Sequence, residues 1–315
     1  MRRYCHRRHG KRNGSLKLLI TGASGLLGSK LAELALDAGH EVCSVYNEHP
    51  SRGNAVRVDL RNSEEVRSIL TRHAPDAVIH TAAITDVDLC ERDPVLAMDI
   101  NAKATGIIAG TCNELNSFLV YVSSDYVFDG QTGFYGEEDK PNPLNAYGRS
   151  KLMGEQMTLD LAADYCIVRP SVLFGCGREY RLNFATWLLQ QLSIGESVNV
   201  IRGQYSSPTL STHLAKMLLE VTERRVKGII HLAGADRINR YEFAIQLARE
   251  FGLNTRLLVP TAADSVKWFA KRPADSSLNI EKADRVLNMK PMTVGNELKA
   301  FKLELPPGPA IKRVQ

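Results

Sequence analysis

The segment TGASGLLG, residues 21–28, constrains the fold of this chain more than any other stretch. It follows a short apolar run that predicts a strand over residues 16–20, and it opens an amphipathic stretch that predicts a helix over 27–38. A strand, a glycine-rich turn and a helix in this order begin a parallel sheet and form a binding site for a dinucleotide pyrophosphate.

Each glycine of this segment has a separate role in that interpretation. Gly22 permits the tight turn, Gly25 lets the backbone approach the pyrophosphate, and Gly28 allows close packing of the helix on the strand. The turn residues that complete the predicted cofactor contacts are Ser24, Leu26 and Leu27.

The rest of the chain repeats the alternation of short apolar runs and longer amphipathic stretches. Further strands are predicted over 41–46, 55–58, 77–80, 118–123, 165–168 and 228–232, and further helices over 63–73, 94–114, 145–163, 184–192, 212–223 and 240–250. Asn239 and Glu242 have the spacing of a capping box at the start of the last helix. The predicted fold is α/β, a doubly wound parallel sheet of the Rossmann type with a smaller, interleaved substrate domain.

The predicted domain division follows from where segments leave the sheet and return to it. Residues 15–170 form the dinucleotide-binding domain, which 203–234 rejoin, and residues 171–202 and 235–304 form the substrate domain. Residues 1–14 are predicted to be a disordered basic tail, and 305–315 a C-terminal tail. An upstream start codon or a short targeting peptide would also account for the basic tail.

The net charge of +5 comes from that tail, which holds six basic residues and no acid. The other residues carry 34 basic and 35 acidic side chains, so no nucleic-acid partner is expected. No long apolar run predicts a membrane span, and the expected location is the cytoplasm. The six cysteines include no CxxC pair, and the donors Cys5, His6 and His9 make a poor closed site, so no metal is expected.

The choice between NAD and NADP depends on the end of the second strand, where an acidic residue would hold the adenosine ribose of NAD. Asn47 stands there instead, and Arg52 follows, which favours NADP over NAD. After the third strand, Asp59 and Leu60 are predicted to flank the adenine; alternatively, Asp59 begins the next helix.

Three side chains form a candidate proton-handling site. Tyr147 and Lys151 stand four residues apart on one face of a predicted helix, and Ser124 ends the strand over 118–123. A phenol with a pKa near 10 needs help to exchange protons at neutral pH, and a neighbouring ammonium group supplies it. A hydroxyl beside the phenol can bind the same substrate oxygen.

Several further motifs resemble the dTDP-4-dehydrorhamnose reductase family of extended short-chain dehydrogenases. They are AAIT (82–85), SSDYVFDG (123–130), PLNAYGRSKLMGE (143–155), RPSVLFG (169–175), SSPT (206–209) and RPADSSL (272–278), and the similarity extends from about residue 16 to 290. The chain departs from the family pattern at Leu26, where Gln is usual, at Ser124, where Thr is usual, and at Val172, where Trp contacts the sugar.

This resemblance implies an NAD(P)H-dependent reduction of the C4 ketone of a nucleotide-linked deoxysugar. Tyr147 would protonate the C4 oxygen with help from Ser124 and Lys151, and Asp125 would also contact the substrate. The residues that would line the cofactor beyond the glycine-rich turn are Ala82, Ala83, Thr85, Tyr147 and Lys151. Asn101 would order the preceding strand or a water, or make a structural hydrogen bond.

Three related functions compete with this interpretation. A dehydratase needs an Asp and a Glu after the catalytic hydroxyl, and here Asp125 is followed by Tyr126, which argues against dehydration. A nucleotide-sugar 4-epimerase uses the same Ser, Tyr and Lys. The regulatory β subunit of methionine adenosyltransferase is similar in sequence, binds NADP and docks to another enzyme. Under this alternative the chain would act within a hetero-oligomer, whereas an enzyme of this kind would act as a homodimer.

Overall fold

The computed structural model describes residues 14–50, 54–177 and 182–305. Residues 1–13, which include Cys5, His6 and His9, lie outside these ranges, as do Arg52 and residues 306–315. The predictions made for them concern residues that the structure does not describe. The strands are β1 Lys17–Thr21, β2 Glu41–Tyr46, β3 Asn54–Arg57, β4 Ala77–His80, β5 Phe118–Val122, β6 Tyr165–Arg169, β7 Leu173–Phe174, β8 Val198–Arg202, β9 Tyr205–Ser206, β10 Thr209–Leu210, β11 Gly228–His231, β12 Ile238–Asn239 and β13 Leu258–Ala262.

The α-helices alternate with these strands. They are α1 Leu26–Asp37, α2 Ser63–His73, α3 Val87–Arg92, α4 Pro94–Met98, α5 Ala104–Leu115, α6 Ala146–Leu161, α7 Phe184–Ser193, α8 Ser211–Glu223, α9 Arg240–Glu250, α10 Glu281–Val286 and α11 Val294–Glu304. A π-helical turn, Asp99–Lys103, joins α4 to α5, and 3₁₀ turns occupy Asp125–Val127, Thr255–Leu257 and Ala263–Ser265.

The main sheet has seven parallel strands in the order β3, β2, β1, β4, β5, β6, β11. Successive side chains of a strand point to opposite faces, and both faces of this sheet are apolar. In β1, Leu18 and Ile20 join the core under α1 and α8, whereas Leu19 joins the core under α2 and α5. Helices therefore cover both faces, which confirms the predicted doubly wound α/β fold.

A second apolar cluster lies outside the sheet. Phe174, Leu188, Phe243 and Phe301 belong to it, and the last three lie on α7, α9 and α11. Three short strand pairs, β7 with β10, β8 with β13 and β9 with β12, connect this part of the chain. The division into cofactor and substrate domains stays a prediction.

Two local predictions about helix starts have different outcomes. Asn239 and Glu242 form the predicted capping box at the start of α9. The alternative that Asp59 begins a helix is wrong, because Asn62 caps α2 by accepting hydrogen bonds from the backbone amides of Glu64 and Glu65. Within the described ranges, no helix is both long and apolar enough to cross a membrane.

A buried carboxyl on α11 gives the fold a pH dependence. Glu297 is fully buried, accepts a hydrogen bond from the Leu210 amide at 2.7 Å, and its pKa is raised from 4.5 to about 8, mainly by burial and further by the nearby Asp236. The folded chain thus holds this proton more tightly than the unfolded chain does, so Glu297 makes the free energy of unfolding fall as the pH rises from about 4.5 towards about 8.

Replacing Glu297 with Gln is expected to remove this pH-dependent fall in the free energy of unfolding. Between pH 6 and pH 8, the free energy of unfolding of the wild type should fall by about 2 kcal/mol more than that of the variant, as measured by urea titration at both pH values. The exposed Glu196→Gln serves as the control. An equal fall in the Glu297→Gln variant would show that Glu297 does not ionise in this interval.

Candidate active site

The glycine-rich turn lies between β1 and α1 with a shape that depends on its glycines. Gly22 has φ +68°, and a Cβ there would come within 2.8 Å of the Ala82 backbone. A Cβ at Gly28 would lie 2.2 Å from the Gly22 carbonyl oxygen. Gly25 is exposed and precedes the first residue of α1. The chain thus forms a tight backbone cradle with an open rim, which fits a pyrophosphate.

The N-terminus of α1 supplies the charge that such a cradle requires. No side chain caps this helix, and its first turn contains no acidic residue. The amides of Leu26, Leu27 and Gly28 begin the helix there, and the positive end of the helix dipole adds to their attraction for an anion. Ser24 is half-buried beside them.

The segment 82–85 follows β4 and is held by hydrogen bonds with two residues, Thr21 and Asn101. The Ala82 amide donates to the Thr21 hydroxyl at 3.3 Å. Asn101, in the π-helical turn, accepts from the Ile84 amide at 2.8 Å and donates to the Ile84 carbonyl oxygen and to the Ser150 hydroxyl at 3.1 and 2.9 Å. Asn101 therefore orders the predicted cofactor-lining segment of Ala82, Ala83 and Thr85 and ties it to α6, next to Lys151.

The three candidate catalytic residues come together at the carboxyl edge of the sheet. Ser124 follows β5, and Tyr147 and Lys151 lie on the first turns of α6, which Asn145 caps by accepting from the Gly148 amide. The Lys151 ammonium donates to the Val122 carbonyl oxygen at 2.7 Å and lies 4.4 Å from the centre of the Tyr121 ring. Helix geometry places Tyr147 one turn before Lys151 on the same face.

Burial sets the protonation states of this site. It raises the pKa of the Tyr147 phenol well above 10, and a hydrogen bond with the Ser124 side chain offsets only part of this rise. Burial lowers the pKa of Lys151 to about 7, against the attraction of Glu155. At neutral pH, Tyr147 therefore keeps its proton, which is the form needed to protonate a substrate oxygen.

Asp125, which we expected to contact the substrate, is buried with both carboxylate oxygens occupied. Its Oδ1 accepts from Ser124 at 3.1 Å, and its Oδ2 accepts from Ser171 at 3.0 Å and from Ser276 at 2.7 Å. Burial raises its pKa to about 6 despite these bonds. Ser124 donates to Asp125 Oδ1 and its Oγ accepts from the Tyr126 amide, so these two contacts hold the Ser124 hydroxyl in place.

The residues predicted at the adenosine end lie where β2 and β3 end. Asn47 follows β2. Asp59 is bound by Arg61, whose Nη2 lies 2.6 Å from its Oδ2, and Leu60 packs partly buried against the core cluster under α2. Val172, where the family pattern described above has Trp, is 39% exposed and lies directly before β7.

Two arginines near Tyr126 were not predicted as site residues from the sequence. The Tyr126 ring contacts the Tyr147 ring edge to face at a centroid distance of 5.8 Å, and Tyr126 in turn interacts with Arg240 and Arg272. Arg272 is paired with Asp88 at 3.0 Å. Arg240 stacks at 4.8 Å over the Phe184 ring and has no carboxylate within ion-pair distance in the described parts of the chain.

Arg240 is thus a partly buried cation without a carboxylate partner in the described ranges, and an anion bound beside Tyr126 would compensate its charge. A signal for Arg240 existed in the sequence, because it opens a helix, where the helix dipole disfavours a positive side chain. Among the described residues, no three His, Cys, Asp or Glu side chains are grouped as metal ligands.

Comparison with known proteins assigns this chain to a family. The sequence model of the RmlD substrate binding domain matches residues 16–305. The dTDP-4-dehydrorhamnose reductase of Aggregatibacter actinomycetemcomitans is 33% identical over 288 residues, which are 87% of this chain and 94% of that protein. The methionine adenosyltransferase 2 subunit beta of Rattus norvegicus is 32% identical over 277 residues, 86% of this chain and 82% of that protein.

A solved structure gives the same result. The dTDP-4-dehydrorhamnose reductase of Bacillus anthracis in complex with NADP superposes with a TM-score of 0.84 at 27% identity, covering 92% of this chain and 99% of that one. The two resemblances expected from the motifs are thus confirmed. The chain belongs to the RmlD substrate binding domain family.

Proposed function

We propose that this chain reduces the C4 ketone of a nucleotide-linked deoxysugar with NAD(P)H, as a dTDP-4-dehydrorhamnose reductase does. The observation that carries the proposal is the convergence of Ser124, Tyr147 and Lys151 beside a glycine cradle. The reductase relatives support the same class of reaction.

The cofactor would be held by the cradle of Gly22, Gly25 and Gly28 and by the uncapped start of α1. When bound, it supplies the hydride for C4. Lys151, donating to the Val122 carbonyl oxygen, remains beside Tyr147 and would bind the ribose hydroxyls of the nicotinamide half. The first turns of α6 and the segment 82–85 enclose this end of the site.

Tyr147 would give its phenol proton to the C4 oxygen as negative charge develops there. Ser124, which its contacts with Asp125 and the Tyr126 amide hold in place, would hydrogen-bond the phenol and the substrate oxygen and so keep them oriented. Lys151 would then favour the phenolate that remains, because a neighbouring cation stabilises the charged form.

Arg240 would bind a phosphate of the nucleotide diphosphate, which is the anion that this substrate class supplies. Replacing Arg240 with Gln is expected to raise the KM for the nucleotide sugar by about tenfold to a hundredfold, with kcat changed by less than about threefold. Steady-state kinetics at saturating cofactor measure both constants.

Arg202→Gln is the control for this variant, because Arg202 is exposed and stacks on Tyr241 at 5.3 Å. An unchanged KM in the Arg240 variant would remove this residue from the substrate site. A lower kcat at unchanged KM would instead assign Arg240 to the chemical step.

A turnover assay separates the reductase from its two alternatives. The chain is mixed with NADPH or NADH and dTDP-4-dehydrorhamnose formed in place by its upstream enzymes, and the nicotinamide absorbance is followed. A reductase oxidises one reduced cofactor for each 4-keto sugar that it converts, and it oxidises none with the matched 4-hydroxy sugar. An epimerase interconverts the 4-hydroxy sugars without net consumption.

The regulatory alternative is supported by the 32% identity to the methionine adenosyltransferase subunit. It predicts tight cofactor binding without turnover, together with a stable complex with the catalytic subunit of that enzyme in size-exclusion chromatography. That pair of results would contradict the proposed reductase.

A further inference from the structure

Asp125 connects the candidate catalytic hydroxyl to a segment that is distant in sequence. Its Oδ1 accepts from Ser124, and its Oδ2 accepts from Ser171 at 3.0 Å and from Ser276 at 2.7 Å. All four side chains are buried. Ser276 belongs to the segment 270–278, between β13 and α10, which we call the strap. The bond from the strap is the shortest of the three.

The strap contacts both parts of the chain that carry the candidate catalytic side chains. Near its start, the Lys271 carbonyl oxygen accepts from the Asn145 side chain at 2.8 Å. Asn145 also caps α6, two residues before Tyr147. Further along the strap, Ser276 donates to Asp125, which directly follows the third candidate residue. A change in the strap can therefore alter the geometry of the site without any contact with the reacting atoms.

Asp125 holds its charge without a nearby cation. Within the described ranges, no Lys, Arg or His side chain lies within ion-pair distance of its carboxylate. The titratable side chains that interact with it are the phenols of Tyr126 and Tyr147, and burial raises the pKa of each above 10, so both are neutral. The cations Arg240 and Arg272 interact with Tyr126. The three serine hydroxyls therefore compensate the charge of Asp125.

Protonation of Asp125 would disturb these contacts. Burial raises its pKa to about 6, and the bonds from the serines oppose that rise, the bond from Ser276 most. An ionised carboxylate only accepts hydrogen bonds, whereas a protonated carboxyl must donate its own proton and has less capacity to accept. The contact that holds Ser124 therefore depends on the ionised form, which predominates above about pH 6.

We propose that Ser276 is a positioning residue for the reduction: by donating to Asp125 it favours the ionised carboxylate, which holds the Ser124 hydroxyl beside the Tyr147 phenol. The inference rests on the proposed function, in which Tyr147 protonates the substrate oxygen. In this role Asp125 acts through Ser124 and not through a contact with the substrate.

The test is the pH dependence of kcat for the 4-keto sugar with saturating NADPH, in the wild type and in Ser276→Ala. Loss of the hydroxyl disfavours the ionised form of Asp125, so the variant should lose activity at a higher pH. The wild-type kcat is expected to fall below about pH 6, and that of the variant below a pH about one unit higher. At pH 6 the variant should then be about fivefold slower than the wild type, and at pH 8 slower by less than about twofold. Ser276→Thr keeps a hydroxyl and should restore the wild-type profile.

Ser277→Ala is the matched control. Ser277 is the next residue of the strap and is also buried, but its hydroxyl donates to Asp275 at 2.6 Å instead of Asp125. Its acid-side profile should equal that of the wild type. A second readout needs no turnover: the pKa of Asp125 is measured in the full chain from its carboxyl ¹³C shift, assigned by its absence in Asp125→Asn. This pKa should rise in Ser276→Ala and stay unchanged in the control.

An unchanged Asp125 pKa in Ser276→Ala would overturn the proposal. A loss of kcat that is equal at all pH values would also overturn it, because Ser276 would then serve the fold alone. Absence of turnover in the folded wild type would instead refute the proposed function, while the carboxyl titration would still test the link between Ser276 and Asp125.

Discussion

Replacing Tyr147 with Phe is expected to lower the kcat for the 4-keto sugar by about 10²–10⁴-fold while the Kd for NADPH stays nearly unchanged. The ring is buried and remains in place in Phe, so only the phenol proton is lost. Because burial holds the pKa of Tyr147 above its ordinary value, this proton is present throughout the neutral range.

Tyr135→Phe is the matched control for this substitution. Its phenol is also buried, but it donates to the Asp129 carboxylate at 2.6 Å, in the loop before α6. It should keep most of the turnover. Turnover of the Tyr147 variant equal to that of the wild type would exclude Tyr147 as the proton donor.

The second large effect is expected from Glu155, which forms a buried ion pair beneath the site. The Glu155 and Arg169 side chains are 2% and 3% exposed, and their closest oxygen and nitrogen are 2.7 Å apart. Glu155 also accepts a second bond from Arg169 Nε at 2.9 Å and one from the Ser123 hydroxyl at 2.5 Å. Removing the carboxylate would leave a buried guanidinium without its counter-charge.

Glu155→Ala is therefore expected to lower the free energy of unfolding by about 3–5 kcal/mol, measured by urea titration followed by circular dichroism. Asp99→Ala, which breaks the exposed pair of Asp99 and Lys103, should lower it by less than about 1 kcal/mol. A loss as small in Glu155→Ala as in this control would mean that Arg169 finds other partners.

The same carboxylate links stability to chemistry. Burial lowers the pKa of Lys151 to about 7, and Glu155 limits this fall. In Glu155→Gln the Lys151 pKa should fall, so Lys151 loses its proton at a lower pH. If protonated Lys151 assists Tyr147, the fall of kcat on the alkaline side should begin at a lower pH in this variant than in the wild type.

The seven strands of the main sheet were predictable from the sequence because most of them are short apolar runs followed by a longer amphipathic stretch. The strand predicted over 165–168, for example, is Tyr165–Arg169 in the structure. The two-residue strands β7, β9, β10 and β12 were not predicted, because two residues are too few to show an alternating pattern. The π-helical turn that carries Asn101 is likewise hidden in a run of continuous helical periodicity.

The candidate site was predictable where its residues belong to recognisable sequence motifs. Ser124, Tyr147 and Lys151 occur in two segments with recognisable spacing, and the structure brings them together. Arg240 lies almost a hundred residues after Tyr147, and only the tertiary fold brings it near Tyr126. Two of the three serine hydroxyls that bind Asp125, those of Ser171 and Ser276, come from distant segments, so its burial had no local signal.

The most direct test of the central claim is the fate of the hydride. The chain is incubated with NADPH that carries deuterium at nicotinamide C4, on the face that it transfers, and with dTDP-4-dehydrorhamnose, and the sugar product is analysed by NMR and mass spectrometry. We expect one deuterium per product molecule, located at sugar C4. A product without deuterium, or deuterium at another carbon, would contradict reduction of the C4 ketone at this site.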